Sequence, residues 1–194
     1  MVTAASAVGG IMATMSIRHL DRLLEPSSVA VIGASPREGS VGATVWRNLR
    51  DGTFAGTRWP ANPTHPELHG EAVFARVADL PSAPDLAVIC TPPATVPQLI
   101  AELGARGTRA VVVLTAGLSR EQKQAMLDTA KPYCLRILGP NGLGLLSPAI
   151  GLNASFAHAD ALPGSLAFVS QSGALVSAML DWARGRGIGF SRLV

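Results

Sequence analysis

The spacing of apolar positions changes period several times along this chain. Ile17, Leu20, Leu23 and Leu24 recur at helical intervals, which predicts one short amphipathic helix over residues 17–24, ended by Pro26. Beyond it, short unbroken apolar runs alternate with helical segments. Val29–Ile32, Thr57–Ala61, Leu86–Cys90, Ala110–Leu114 and Leu135–Leu138 read as strands buried on both faces. Val41, Val45, Trp46 and Leu49 mark the inward face of one intervening helix, and Val96, Leu99, Ile100 and Leu103 that of another. A third helix starts at Ser119, which forms a capping box with Gln122, and Lys131-Pro132 closes it. This alternation predicts an α/β fold with a parallel sheet covered by helices on both faces. After the segment GPNGLGLLSP the pattern restarts, with a strand at Leu166–Val169, a helix over Ser172–Arg184 and a strand at Phe190–Val194. Leu175, Val176, Met179 and Leu180 share one face of that helix. The expected organisation is a flexible tail over 1–16, a first domain over 17–146, and the N-terminal part of a second α/β domain over 147–194. The last strand breaks off at Val194, so the chain is expected to be a piece of a longer protein.

Composition narrows the classes. Apolar residues make up 48% of the 194 and charged residues 15%, enough for a sizeable core and against wholesale disorder. The net charge of +3 comes without a run of Lys or Arg. That argues against nucleic acid as a partner and suits a small polyanion. The leader MVTAASAVGGIMATMS has neither the basic start nor the long apolar core of a signal peptide, and Met15 offers an alternative start. No stretch approaches the roughly 18 uninterrupted apolar residues of a membrane span. A cytoplasmic protein with no membrane partner is therefore expected. Cys90 and Cys134 read as buried free thiols, and no Cys/His spacing suggests a metal site.

The loops carry the chemistry. SVAVIGASPREGSVGA (residues 28–43) takes a strand through Gly33 into a helix opened by Gly39 and Gly42, so backbone N–H groups and a helix dipole face one spot. This is a phosphate-binding turn without the G-x-G-x-x-G spacing of a dinucleotide fingerprint or the Gly-Lys-Ser/Thr of a Walker loop. A dinucleotide site also places a carboxylate about 20 residues on, at the end of the second strand. Here that strand ends Trp59-Pro-Ala-Asn-Pro-Thr-His65, with no acid before Glu67 and with Arg58 ahead of the strand's end; His65 reads as an exposed loop residue. The later strand exits, Cys90-Thr-Pro-Pro-Ala94, Leu114-Thr-Ala-Gly117 and Gly139-Pro-Asn-Gly142, put small or rigid residues along the same carboxyl edge of the sheet, outlining a long shallow groove. Phe168-Val-Ser-Gln-Ser-Gly-Ala174 repeats the strand-to-helix theme, with Ser172 as N-cap, and lacks the G-x-S-x-G of a hydrolase elbow.

In this order the motifs LLEPSSVAVIGASPREGSVGATV, PANP, DLAVICTPPATV, VVVLTAG, ILGPNGLGL and LAFVSQSGAL resemble the CoA-binding half of the succinyl-CoA synthetase alpha-like family. The likeness extends to its NDP-forming acetate–CoA ligases and to the ligase-like part of protein lysine acetyltransferases. The resemblance covers residues 17–194. It implies a Rossmann-like CoA-binding domain followed by the start of a flavodoxin-like succinyl-CoA synthetase domain. It also implies that Gly33, Ser35, Pro36, Arg37, Glu38 and Gly39 wrap the phosphates of CoA or acetyl-CoA. Asn62-Pro63, Thr91-Pro92-Pro93 and Leu114-Thr115-Ala116 would line the remaining path, and Asn141 would stand near the thiol. Ser170, Gln171, Ser172 and Gly173 would form a helix end that receives the phosphate of a phosphohistidine.

Three positions depart from the family. Thr64-His65 stand where a lysine is frequent, Ala116 replaces the glutamate of succinyl-specific members, and the phosphohistidine would lie past Val194. None of His19, His65, His69 or His158 has a matching setting, so no catalytic residue is nominated in the chain. ATP or ADP and Mg would act only through other ligase domains or a beta-type subunit, and a homo-oligomer is compatible with the pattern. An acyl-CoA-sensing module of a lysine acetyltransferase and an NAD(P)-binding domain stand as alternatives.

Overall fold

The computed structural model describes residues 18–194. The expected tail and Ile17 lie outside the described residues. A short helix, α1 (Leu20–Leu24), precedes β1 (Ser28–Ile32), α2 (Val41–Asp51) and β2 (Thr57–Ala61). Two residues each form β3 (Glu67–Leu68) and β4 (Glu71–Ala72), a small antiparallel pair that the apolar pattern did not reveal. Then follow β5 (Leu86–Ile89), α3 (Val96–Arg106), β6 (Ala110–Val113), α4 (Arg120–Ala130) and β7 (Arg136–Leu138). The five principal strands form one parallel sheet in the order β2-β1-β5-β6-β7. The Rossmann-like expectation holds. The chain leaves β1 to one side for β2 and returns across it for β5, so the strand order reverses between β1 and β5, where such sheets place their ligands.

Burial follows the two-residue period of the strands. Val29, Val31, Leu86, Val88, Ala110 and Val112 pack on one face with α1 and α2, the latter through Val45, Trp46 and Leu49. Ala30, Ile32, Ala87, Ile89, Val111 and Val113 pack on the other with α3 and α4, through Ile100, Leu103 and Met126. Pro60 sits in the outer strand β2, where a missing donor is tolerated. The capping box at the start of α4 is formed in both directions, between the side chain of each of Ser119 and Gln122 and the backbone N–H of the other.

A second sheet has the order β10-β11-β8-β9, built from β8 (Gly144–Ser147), β9 (Leu152–Ser155), β10 (Pro163–Phe168) and β11 (Phe190–Leu193), with α5 (Gly173–Arg184) between the last two. β10 and β11 are parallel, and β8 is antiparallel to both β9 and β11. The β8–β9 hairpin was not foreseen, and it serves both cores. Leu145, Leu152 and Ala154 join the first face of the large sheet, whereas Leu146 packs with Val176, Leu180, Phe190 and Leu193.

Four expectations need correction. Val41 is exposed rather than inward, because it faces open clefts rather than the core, and Leu175 on α5 is likewise exposed. Cys134 is exposed, in a left-handed turn after the short helical segment that ends α4, and its Sγ accepts a hydrogen bond from Arg18 Nη1. The strand expected at Leu166–Val169 spans Pro163–Phe168 and leaves Val169 outside it. No helix among the described residues is long and apolar enough to cross a membrane.

Candidate functional site: a trough along the carboxyl edge of the sheet

The loop after β1 is shaped by its own hydrogen bonds. Gly33 has φ +93°, and its N–H donates to the Ala61 carbonyl at 2.8 Å, which ties the ends of β1 and β2 together. Ser35 Oγ accepts from the Arg37 N–H at 3.1 Å. Ser40 caps α2 by accepting from the Ala43 N–H at 3.2 Å and donates its own proton to the Arg37 carbonyl at 2.7 Å. The turn closes on itself and leaves the Arg37 side chain exposed, with no hydrogen-bond or ion-pair partner among the described residues.

Asn62, just after β2, acts as a staple between loops. Its Nδ2 donates to the Ala34 carbonyl at 2.6 Å, and its Oδ1 accepts from both the N–H and the hydroxyl of Thr64. The exit of β5 is tied in the same manner. Thr95 Oγ1 donates to the Pro92 carbonyl, so Thr91 must be the donor in the 2.7 Å contact between the two hydroxyls. The buried Thr115 hydroxyl donates to the Thr91 carbonyl at 2.8 Å, and the Asn141 N–H donates to the Thr115 carbonyl at 3.1 Å. One chain of hydrogen bonds thus runs along the exits of β5, β6 and β7.

Two clefts open above these loops. The first, of ≈ 720 Å³, lies over the β1, β2 and β5 exits and reaches His65, Arg76, Leu99 and Glu102. The second, of ≈ 760 Å³, runs from the β5 and β6 exits to Asn141, Phe156, Gln171 and Gly173. Both are lined by Arg37, Val41, Cys90, Thr91 and Pro92, so they form one continuous trough with a shared waist. Among the described residues Arg37 is the one charged residue on the second cleft. In the first, Arg76 is gripped through Nε and Nη2 by Asp79, whose carboxyl it holds below the usual range. Burial pushes the Cys90 thiol up to about 12, so the waist has an uncharged floor at neutral pH.

Of the residues singled out in the sequence, Gly33, Ser35, Arg37, Asn62, Pro63, Thr91 and Pro92 line the first cleft. Leu114, Thr115, Ala116, Asn141, Gln171 and Gly173 line the second. Pro36, Glu38, Gly39, Pro93, Ser170 and Ser172 line neither. Ser170 and Ser172 are spent on the turn: Ser170 Oγ accepts from the Ser172 N–H at 3.0 Å, and Ser172 Oγ caps α5 at the Leu175 N–H. His65, read as an exposed loop residue, is partly buried and lines the first cleft. Sequence reasoning missed Arg76, Leu99 and Phe156, which come from segments outside the strand exits. Among the described residues no group of three or more His, Cys, Asp or Glu could hold a metal ion.

A parallel sheet with a glycine-bearing loop at its reversal point and a trough along its carboxyl edge defines an α/β domain with an open groove where such sheets place their ligands. The chain belongs to the CoA binding domain family, whose model matches residues 27–148. Residues 163–194 match the succinyl-CoA ligase like flavodoxin domain. The chain is similar to ADP-forming acetate–CoA ligase I of Archaeoglobus fulgidus, 38% identical over 90% of this chain and 26% of that protein. It is 37% identical to the alpha subunit of ADP-forming acetate–CoA ligase I of Pyrococcus furiosus, over 90% of this chain and 40% of that subunit. The solved acetyl-coenzyme A synthetase 1 of Ca. Korarchaeum cryptofilum, in complex with phosphate and ADP, superposes with a TM-score of 0.85 at 38% identity. That match covers 90% of this chain and 39% of the other. The chain therefore spans about a quarter of one such relative and about 40% of the others.

Proposed function

We propose that the chain is the CoA- and acyl-CoA-binding portion of an NDP-forming acid–CoA ligase. The observation that carries this reading is the shared waist, which joins a cleft at the phosphate loop to a cleft at the N-terminus of α5. An extended ligand with phosphates at one end and a thiol at the other fits that shape. In this reading residues 17–146 hold most of the CoA path and residues 147–194 open the second domain, with the β8–β9 hairpin across the division. The nucleotide lies in the first cleft, with Arg37 and the N–H groups at the start of α2 facing its phosphates. The pantetheine arm crosses the waist beside Thr91 and Pro92 and ends near Asn141.

The ligase step would bring a phosphohistidine from a part of the protein outside this chain to the N-terminus of α5. There the N–H groups around Gly173 favour the phosphate. Phosphate passes from that histidine to the carboxylate substrate, and the CoA sulfur then displaces phosphate from the acyl phosphate, forming the thioester. ATP or ADP and Mg belong, in this reading, to further ligase domains or to a beta-type subunit. Within this chain, residues bind and orient CoA and hold a phosphate, and none serves as nucleophile.

Calorimetric titration of the chain with CoA, acetyl-CoA, NAD and NADP tests the reading. Micromolar binding of CoA and acetyl-CoA with silence toward NAD and NADP is expected. NAD binding with silence toward CoA overturns it.

A further inference from the structure

Asn48 stands two turns along α2 from Val41, the residue of that helix that lines both clefts. Its Nδ2 donates to the Ser155 carbonyl at 3.0 Å and to the Ala157 carbonyl at 2.9 Å. Both hydrogens of one amide are therefore spent on the residues that flank Phe156. The buried Ser155 hydroxyl adds to the clamp, accepting from the Ala157 N–H at 3.1 Å and donating to Asn153 Oδ1 at 2.5 Å. Asn153 Nδ2 in turn donates to Asp160 Oδ1 at 2.6 Å. The Phe156 N–H donates to the Leu143 carbonyl at 3.2 Å, and Phe156 and Leu143 both line the second cleft.

We propose that Asn48 is a positioning residue for the wall of the second cleft. Residues 156–162 have no helix or strand of their own, and beside the backbone bond from Phe156 to Leu143 it is these side-chain hydrogen bonds that tie the start of the segment to α2. α2 is a rigid rod that presents Val41 at its first turn and, through Asn48, holds Phe156. The width of the cleft between those two apolar side chains is set before any ligand arrives, which lowers the entropy lost on binding. The inference rests on the CoA reading and adds to it that the pantetheine end is controlled from the helix that begins at the phosphate loop.

The test compares CoA with adenosine 3′,5′-bisphosphate, which lacks the pantetheine arm and reaches only the first cleft. Asn48→Ala should weaken CoA about five- to tenfold, from the lost pre-organisation, and the bisphosphate less than twofold. In a Phe156→Ala background, Asn48→Ala should have no further effect on CoA. A general loss of stability would weaken both ligands in parallel, and that result overturns the assignment, as does unchanged CoA affinity in a folded Asn48→Ala chain. Should Asn48→Ala fail to fold, Phe156→Ala alone carries the test: it must weaken CoA and spare the bisphosphate, and equal effects on the two overturn the assignment. Absence of CoA binding by the unaltered chain overturns the CoA reading, and this assignment with it.

Discussion

Gly42→Ala sets two effects of opposite sign against each other. Gly42 is the second residue of α2, and alanine there should favour the helix by about 1 kcal/mol on propensity alone. The surroundings forbid it. A Cβ on Gly42 would stand 1.9 Å from the Gly33 carbonyl oxygen and 3.0 Å from its carbon. These are backbone atoms of the loop after β1, with no side chain that could swing away. Either the helix start or the loop must retreat by about 1 Å to reach 3.0 Å, below which real Cβ contacts essentially never fall. A movement of that size breaks the 2.8 Å bond from the Gly33 N–H to Ala61 or the 2.7 Å bond from Ser40 to Arg37.

Overpacking of this kind costs roughly 1–3 kcal/mol, more than the propensity gain. For a chain of this length each kcal/mol lowers Tm by about 2–4 °C, so a net loss of up to about 2 kcal/mol should lower Tm by up to about 8 °C. CoA affinity should drop at least about tenfold, because the shifted loop carries the N–H groups assigned to the phosphates. Gly39→Ala is the control. Gly39 has φ +74° with no atom within 4 Å of the added Cβ, and it lines neither cleft. That variant should lose roughly 1–2 kcal/mol to left-handed strain and keep CoA affinity within about twofold. Thermal melts and calorimetry on both variants decide the matter. A Gly42→Ala chain that melts and binds like the unaltered one refutes the close-approach argument.

Two further outcomes follow from burial. With the Cys90 thiol pushed up to about 12, iodoacetamide at pH 8 should alkylate exposed Cys134 and spare Cys90, as read by peptide mass spectrometry; comparable labelling of both would contradict the uncharged floor. Since the folded chain keeps that proton above the ordinary 9.0, this thiol's contribution to stability is intact below pH 9 and is lost as pH rises toward 12. Thr115→Val removes the buried donor to the Thr91 carbonyl and should cost about 1–2 kcal/mol in urea unfolding, with Thr115→Ser restoring most of it. Equal midpoints for the valine and serine variants would show that the hydroxyl contributes nothing.

The parallel sheet was legible because its central strands β1, β5 and β6 are buried on both faces and such strands are written as unbroken apolar runs; the outer strands β2 and β7, expected to be the same, are only partly buried. The β8–β9 hairpin was illegible for the opposite reason. Ser147, Asn153 and Ser155 are buried polar residues within it, and Pro148 and Gly151 interrupt the run. Their polar atoms are satisfied only in three dimensions: Ser147 by the Leu24 carbonyl, and Asn153 by Asp160 and Ser155. A sequence pattern cannot anticipate such partners, so no strand was expected between Leu138 and Leu166. Val41 was misplaced because a period assigns a residue to a helix face and does not say whether core or an open cleft lies beneath it. The strand-exit residues of the trough could be found because topology puts every exit of a parallel sheet on one edge. Arg76, Leu99 and Phe156 reach the trough from other segments and left no comparable signal.

Hydrogen-bond accounting divides the trough residues into two kinds. Ser40, Asn62, Thr91, Thr95 and Thr115 are polar side chains on the trough, yet each commits a hydroxyl or amide to its own or a neighbouring loop. Asn62 retains one Nδ2 hydrogen, and Ser35, which accepts from Arg37, retains its own proton. Among the described residues the Arg37 guanidinium alone is charged, partnerless and present on both clefts. Under the CoA reading, charge compensation for the phosphates therefore falls on Arg37 and the backbone N–H groups at the start of α2, whereas the polar side chains hold the loops at the spacing the ligand requires. The same division explains why the loop can lack both established glycine signatures and still suit a phosphate. Its shape is held by its own Ser35 and Ser40 hydrogen bonds and by Asn62 from the exit of β2, and under the CoA reading the N–H groups so aimed carry the recognition.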